Sequence, residues 1–283
     1  MLGSVISEVS GRIGFMQGRL SPIRHERIQS FPWETWQDEI ELMVKLSLRK
    51  MEWTIDSENF TQNPILTQNG RMEINNLKSL FKIEIPSVTC DYFMENPPWK
   101  SDPGYLLEGI ESIITGMIEI DAKCLVIPLV DNSSLTDSFS FSQVERFFRP
   151  VSNLLISHGI KIAFETDLRP DRFYNFISEF NEESYGVNYD IGNSASFGYD
   201  PTQEFSAIGD RILNVHVKDR ILGGTTVPLG TGNADFPTVF KCLNENGYVG
   251  NLIMQTARAQ DGKHAEALTT YRNQIVNWIG EAK

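Results

Sequence analysis

The sequence predicts an α/β fold, namely a single (β/α)8 TIM barrel with its active site at the C-terminal ends of the strands. Two observations lead to this prediction. Four consecutive apolar runs end in polar residues that suit ligand binding. In addition, apolar runs alternate with amphipathic helical stretches at a spacing typical of eight βα units. These runs begin near residues 12, 50, 85, 123, 160, 185, 212 and 250.

A doubly wound open sheet is the alternative fold. Such a sheet would bind its ligand at one switch point, which explains less well why four successive strands end in ligand-type residues. No linker rich in glycine, serine or proline divides the 283 residues. We therefore assign residues 12–283 to one barrel domain, preceded by an N-terminal extension at residues 1–11.

Each strand is assigned from a short apolar run bounded by polar or turn-forming residues. The predicted strands are Arg12–Gln17, Lys50–Ile55, Ile85–Cys90, Lys123–Val130, Ile160–Glu165, Tyr185–Asp190, Ile212–Asp219 and Gly250–Gln255.

Helices are assigned between the strands from apolar residues that recur on one stripe. Pro170 and Pro201 are placed in the first turns of the fifth and sixth helices, where the missing N–H of proline is not needed. The other predicted helices are Thr35–Arg49, Asn69–Lys82, Gly104–Ile120, Phe141–His158, Phe236–Asn246 and Lys263–Gly280.

Polar residues end the last four strands: Glu165, Asp190, His216 near the end of its strand, and Gln255. A parallel barrel gathers the C-terminal ends of its strands into one bowl. Three oxygen donors and one imidazole suit Mn²⁺, our preferred ion, and also Mg²⁺, Co²⁺ or Zn²⁺. The sequence therefore predicts one divalent metal ion bound by these four residues.

Further polar residues near the same strand ends are candidates for contacts with a small carbohydrate. Lys218 follows His216 closely, and we predict it as a catalytic residue together with Glu165 and Gln255. Cationic side chains there could hold an oxyanion or phosphate. The predicted substrate-binding residues are Gln17, Arg19, Glu52, Asp91, Asn193, Asp219 and Arg258.

Four motifs carry a resemblance to a known family. They are Phe164-Glu165-Thr166, Tyr189-Asp190-Ile-Gly-Asn193, Val215-His216-Val-Lys218-Asp219 and Leu229-Gly-Thr-Gly-Asn-Ala-Asp-Phe236. In order and spacing they resemble the xylose-isomerase-like TIM-barrel superfamily, in particular its sugar-phosphate isomerase/epimerase branch. The resemblance covers most of the chain and is strongest from residue 160 onward.

The resemblance implies a metal-dependent isomerase or epimerase of a sugar, sugar phosphate or sugar acid that works through an enediolate. Glu165 would act as the base. The family usually has a glutamate at the end of the eighth strand, where this chain has Gln255, which cannot carry a proton. Gln255 could still bind the metal ion or the substrate, and Glu52 or Asp91 could serve the second face of the substrate.

Two other functions remain open at this stage. One is a metal-dependent lyase or dehydratase acting on a similar substrate. The other is a degenerate barrel that binds a sugar without converting it, because Gln255 replaces the usual glutamate. The related DNA-repair endonucleases are disfavoured, since their multi-metal site needs more than the four histidines of this chain.

Composition limits the partners further. The net charge of −12 argues against nucleic acid and anionic membranes as partners. The three cysteines show no CxxC spacing, as is typical of reduced thiols in a cytoplasmic protein. We see no signal peptide and no apolar stretch near the ~20 residues that a membrane span needs. A homo-oligomer is compatible with the sequence.

Overall fold

The barrel closes within the residues that the computed structural model describes, which are 11–97, 103–259 and 262–282. Its parallel strands neighbour one another in chain order, and the last strand pairs with the first. This closure confirms the predicted barrel and excludes the open sheet. The barrel strands are β1 (Ile13–Met16), β2 (Lys50–Ile55), β3 (Glu84–Cys90), β4 (Cys124–Leu129), β5 (Lys161–Thr166), β6 (Tyr185–Asp190), β7 (Ile212–Val217) and β10 (Leu252–Met254).

Helices follow the strands, as expected, and their ends differ from the predicted ones by a few residues. They are α1 (Trp36–Lys45), α2 (Gln68–Phe81), α3 (Tyr92–Glu95), α4 (Pro103–Ile120), α5 (Ser138–Phe148), α6 (Ser152–His158), α7 (Pro170–Ser178), α8 (Ile191–Phe197), α9 (Pro201–Ile208), α10 (Phe236–Glu245) and α11 (His264–Glu281). Among the described residues, none of these helices combines the length and apolarity needed to cross a membrane.

Three local features differ from the sequence-based assignment. The helix predicted at Phe141–His158 is two helices, α5 and α6, joined by a 3₁₀ turn at Arg149–Val151. Pro150 lies in this turn and cannot donate a helical hydrogen bond, which accounts for the break. Short helices α3 and α8 also occupy segments for which the sequence predicts no helix. The predicted extension at residues 1–11 lies outside the described residues, except for Gly11.

A small antiparallel hairpin follows β7 at the mouth of the barrel. It consists of β8 (Asp219–Arg220) and β9 (Thr226–Val227). We had included Asp219 in the barrel strand, but β7 ends at Val217. The hairpin places Arg220 beside the barrel opening.

Alternation along the strands separates an apolar outer layer from a polar interior. Phe164 packs outward against Phe148 and Phe176 of the surrounding helices, whereas its neighbour Glu165 contacts other strand residues inside the barrel. Tyr189 likewise bonds Glu204 of α9 at 2.8 Å. The two-residue period of strands therefore directs the next side chains, including Asp190, into the barrel.

Candidate metal and active site

Glu165, Asp190 and His216 converge at the C-terminal ends of β5, β6 and β7. One ligand atom from each lies within 4.8 Å of the others, and all three residues are buried. His216 Nδ1 lies 3.2 Å from Glu165 Oε2 and 3.9 Å from Asp190 Oδ2. Asp190 and His216 are direct partners in the β6–β7 ladder, so the sheet register itself places them side by side.

Two asparagines fix the carboxylate of Glu165. Asn188 Nδ2 donates to Oε2 at 2.7 Å, and Asn193 Nδ2 donates to Oε1 at 2.7 Å. Both oxygens are thereby oriented before any ligand arrives. Asn188 is two residues before Asp190 on β6 and shares its face, whereas Asn193 belongs to α8.

A buried carboxylate holds the opposite edge of the His216 ring. Glu52 Oε1 lies 2.7 Å from His216 Nε2. Ser87 Oγ donates to Glu52 Oε2 at 2.7 Å, Asn214 Nδ2 donates to the same oxygen at 2.9 Å, and Thr89 also donates to Glu52. This carboxylate–imidazole contact orients the ring so that Nδ1 faces Glu165 and Asp190, an arrangement common behind metal-binding histidines.

Lys218 joins Asp190 to Gln255 at the edge of the group. Its Nζ lies 2.6 Å from Asp190 Oδ2 and donates to Gln255 Oε1 at 2.8 Å. The Gln255 amide nitrogen donates to Met16 Sδ at 3.3 Å. Gln255 thus contacts the group through the Lys218 ammonium, and its part in binding a metal ion remains a prediction.

Charge governs the protonation of these buried groups. Burial alone would lower the pKa of His216, but the Glu52 and Glu165 carboxylates outweigh it and raise this pKa to about 10. Burial would raise the pKa of Glu165, yet His216 and Lys218 lower it below the ordinary value. Burial does raise the pKa of Asp190, against the opposing effect of Lys218.

The donor set fits a divalent cation. Two carboxylates and one imidazole converge in a buried place, and hard or borderline ions such as Mg²⁺ and Mn²⁺ take these donors. In this structure the positive charge beside the carboxylates comes from Lys218 and from the His216 ring. A metal ion would supply that charge directly to Glu165, Asp190 and His216 Nδ1.

Glu165 connects the group to a cleft of about 530 Å³ at the barrel mouth, which Asp190 and His216 do not line. Five of the predicted site residues line it: Asp91, Glu165, Asn193, Lys218 and Gln255. Asp91 follows β3 directly. Burial and the Glu165 carboxylate raise the pKa of Asp91 to about 7.

Two predicted substrate-binding residues lie beneath the cleft. Glu52 is 0% exposed and both of its oxygens are bonded, so it supports His216 instead of reaching a substrate hydroxyl. Gln17 is also 0% exposed, and its Oε1 accepts from the Thr54 amide at 3.1 Å. Glu52 is the third residue of β2 and not near its end, which accounts for its depth, whereas Gln17 directly follows β1 as predicted.

Arg19 and Arg258, which the sequence predicts to bind substrate, both donate hydrogen bonds to backbone carbonyl oxygens. Arg19 donates to the Thr256 and Ile28 carbonyl oxygens, each at 2.9 Å, and burial with nearby Arg258 lowers its pKa to about 9. Arg258 donates to the Ser21 carbonyl oxygen. The two guanidinium groups are therefore engaged by backbone carbonyl oxygens. The sequence predicts a substrate oxyanion as their partner.

Asp219 shapes a loop instead of contacting the cleft. Its carboxylate is buried and accepts from the amides of Gly230 and Gly232, both at 2.9 Å, and of Ala234 at 3.1 Å. The glycine-rich motif after β9 is thus folded around this side chain. Asp219 had been predicted to bind substrate, and the structure places it in the loop.

Several polar residues at the site were missed from the sequence: Asn188, Asn214 and Arg220, and the acidic cleft residues Glu26, Asp131 and Asp167. The two-residue period could have found the first two, since Asn188 precedes Asp190 by two positions and Asn214 precedes His216 by two. Arg220 NH1 donates to Asn193 Oδ1 at 2.8 Å. Its place depends on the β8–β9 hairpin, whose strands of two residues each are too short to show a sequence pattern.

Comparisons with known proteins agree with this architecture. The model of the xylose isomerase-like TIM barrel family matches residues 36–274. An uncharacterised protein of Methanocaldococcus jannaschii is 23% identical over 185 residues, which are 60% of this chain and 63% of that protein, less than two thirds of its length. L-ribulose-5-phosphate 3-epimerase UlaE of Escherichia coli is 23% identical over 235 residues, covering 78% of this chain and 82% of that one.

A solved structure shows the same fold. The crystal structure of a xylose isomerase-like TIM barrel protein from Mycobacterium smegmatis in complex with magnesium superposes with a TM-score of 0.69. The two chains are 13% identical, and the superposition covers 97% of this chain and 98% of that one. The common barrel therefore extends over almost the whole of both chains.

Proposed function

This chain belongs to the xylose isomerase-like TIM barrel family, and on that premise we propose that it is a metal-dependent isomerase or epimerase of a carbohydrate. The observation that carries the proposal is the convergence of Glu165, Asp190 and His216 in one buried group, of which Glu165 lines the cleft. The names of two relatives support it, one an epimerase of a sugar phosphate and one a protein that binds magnesium. We place the reaction in the cytoplasm, in keeping with the free thiols of all three cysteines.

Glu165, Asp190 and His216 would hold one divalent ion, with Mn²⁺ preferred. The bound ion would polarise adjacent carbonyl and hydroxyl oxygens of the sugar and so make the neighbouring C–H bond more acidic. Glu52 would keep the His216 ring in position for this task.

Glu165 is the proposed base. Its lowered pKa keeps it ionised near neutral pH, and the bonds from Asn188 and Asn193 aim its carboxylate. It would take the proton from the carbon beside the carbonyl, giving an enediolate. Returning that proton to the neighbouring carbon, together with passage of the hydroxyl proton from one enediolate oxygen to the other, completes an isomerisation with one base.

Epimerisation needs a proton donor on the other face of the enediolate. Gln255 cannot provide it, and Glu52 is closed off from the cleft. Asp91 lines the cleft, and its pKa of about 7 allows it to carry a proton at neutral pH. We assign Asp91 to the second face, and Lys218, Asn193 and Gln255 to holding the substrate oxygens.

The test is metal-dependent exchange of substrate C–H for solvent deuterium. Ketoses, aldoses and their phosphates are incubated in D₂O with Mg²⁺ and the protein, and deuterium at carbon is measured by NMR. We expect exchange with the wild type, and its loss after chelation or in Glu165→Gln. Glu183→Gln makes the same chemical change at an exposed site and serves as control. Unimpaired exchange by Glu165→Gln would assign the base elsewhere.

A sugar-binding barrel without turnover is the second candidate. The observation in its favour is the Lys218 ammonium, which already bridges Asp190 and Gln255 and could replace a metal ion there. Elemental analysis separates the two candidates. A protein that binds sugar, holds no metal ion and exchanges no hydrogen would be a binder.

A further inference from the structure

The cleft at the barrel mouth is lined by more acidic than basic side chains. Its basic lining residues among the described part of the chain are Lys218 and Arg220. Its acidic lining residues are Glu26, Asp91, Asp131, Glu165 and Asp167. A metal ion bound by Glu165 and Asp190 would offset those two charges and leave the rest of the lining acidic.

Both cations are already engaged. Lys218 contacts Asp190 and Gln255 at 2.6 and 2.8 Å. Arg220 donates to the Gly224 carbonyl oxygen from Nε at 3.0 Å and from NH2 at 2.7 Å, and its NH1 donates to Asn193. A phosphate or carboxylate on the substrate would have to compete with these bonds.

Two acids of the lining lack such compensation. Asp131 is exposed, and Asp167 is half-buried and accepts a hydrogen bond from the Ser134 hydroxyl. Neither forms an ion pair with a lysine or arginine within residues 11–97, 103–259 and 262–282. Their charges therefore face a ligand that enters the cleft and repel an anion.

The glycine-rich loop after β9 lies outside the lining of the cleft, and its amides are occupied. Successive amides of a glycine-rich loop commonly form an anion-binding concavity. Here the amides of Gly230, Gly232 and Ala234 point at the Asp219 carboxylate. The protein thus fills this concavity with its own anion.

We propose that the cleft selects an uncharged sugar and discriminates against phosphate esters and sugar acids. The inference rests on the proposed function and narrows its substrate class. It separates this chain from its relative in Escherichia coli, which is named for a sugar phosphate. The acidic lining and the engaged cations both point in this direction.

The test compares matched ligand pairs on the Mg²⁺-loaded protein. D-fructose, D-tagatose and L-ribulose are each titrated alongside their terminal phosphate esters, and inorganic phosphate is included as an anion probe. The tightest ligand of the panel is expected to be uncharged, with its ester binding at least tenfold more weakly. An ester that binds tenfold more tightly than its parent sugar would overturn the inference.

Charge-removing variants test the cause. Asp131→Asn combined with Asp167→Asn should reduce the discrimination against the esters at least threefold. Asp210→Asn is the control, because Asp210 is exposed just before β7, at the opposite end of the barrel. If the ratio of sugar affinity to ester affinity is unchanged in the double variant, these carboxylates do not cause the discrimination. That result would contradict the proposal.

The two proposals fail in different ways. Deuterium exchange on a phosphate ester in preference to its sugar would retain the isomerase or epimerase and contradict the substrate class. Tight binding of an uncharged sugar without exchange would retain the substrate class and contradict the isomerase or epimerase.

Discussion

His216 is the residue on which the charge balance of the site depends. It lies between two buried carboxylates, with Glu52 at Nε2 and Glu165 near Nδ1. Burial favours the neutral ring, but the effect of the two carboxylates is larger and raises the pKa of His216 to about 10. The metal-free protein therefore carries an imidazolium at neutral pH, whereas a metal ligand must be neutral.

Metal binding should consequently release a proton. Below the raised pKa the proton competes with the metal ion for Nδ1, so apparent metal affinity should rise with pH, by about tenfold per unit between pH 6 and 9. Titration calorimetry in buffers of different ionisation enthalpy counts the protons released, and we expect close to one. His158→Gln, at an exposed histidine, should behave as the wild type, and His216→Gln should release none. Binding without proton release in the wild type would contradict this assignment.

Gln255 offers a second test at the scale of one residue. In Gln255→Glu, a carboxylate would add a negative charge beside the cation site, so we expect tighter metal binding. The new carboxylate could also carry a proton on the second face and raise epimerisation at the expense of the native reaction. Calorimetric titration of both proteins with Mn²⁺ measures the change in metal affinity. Unchanged or weaker affinity would mean that Gln255 does not touch the metal ion.

The sequence identified the converging residues but not their depth. Glu165, Asp190 and His216 could be found because each is near the end of a predicted strand. Glu52 also lies on the correct strand, yet it is 0% exposed beneath His216. Depth depends on barrel stagger and on side-chain conformation, which no spacing along the chain encodes.

At the scale of elements, the contacts of Asp190-Ile-Gly-Asn193 explain why the motif contains an aspartate, a glycine and an asparagine. Asp190 ends β6, and its Oδ1 accepts from the Asn193 amide at 2.8 Å, which caps α8. A Cβ on Gly192 would lie 2.7 Å from Lys218 Cγ, so glycine lets the two segments approach. Asn193 then reaches Glu165. We missed α8 because its seven residues carry no apolar stripe separable from a loop.

The glycine-rich loop gives a prediction at this scale. A Cβ on Gly232 would lie 2.7 Å from the Arg220 carbonyl oxygen, so Gly232→Ala must displace the loop or the β8–β9 hairpin. We expect destabilisation by about 1–3 kcal/mol, as for other overpacked sites, together with weaker substrate binding. Chemical denaturation measures the first effect.

Gly280→Ala is the matched control for this substitution. Nothing lies within 4 Å of a Cβ at Gly280, near the end of α11, and alanine is the better helix former. Its stability should be unchanged or slightly raised. Equal stability of the two alanine variants would show that the loop adapts without cost.

At the scale of the whole molecule, the barrel could be predicted because its signal is repeated. An error in one element, such as the helix broken near Pro150, does not alter eight regularly spaced strands. Cleft chemistry is not repeated in this way. The acidic lining arises from residues far apart in the chain, such as Asp91 and Asp167, and among the described residues the hairpin that carries Arg220 has no counterpart at the other strands.

The most direct test of the account is the position of the metal ion. Crystals grown with Mn²⁺ and measured near its absorption edge should give one strong anomalous peak inside the barrel mouth. We predict that Glu165, Asp190 and His216 Nδ1 surround this peak, and that Glu52 stays bonded to Nε2. No peak at these three residues, or a fully bound ion elsewhere on the protein, would contradict the proposed centre and the chemistry built on it.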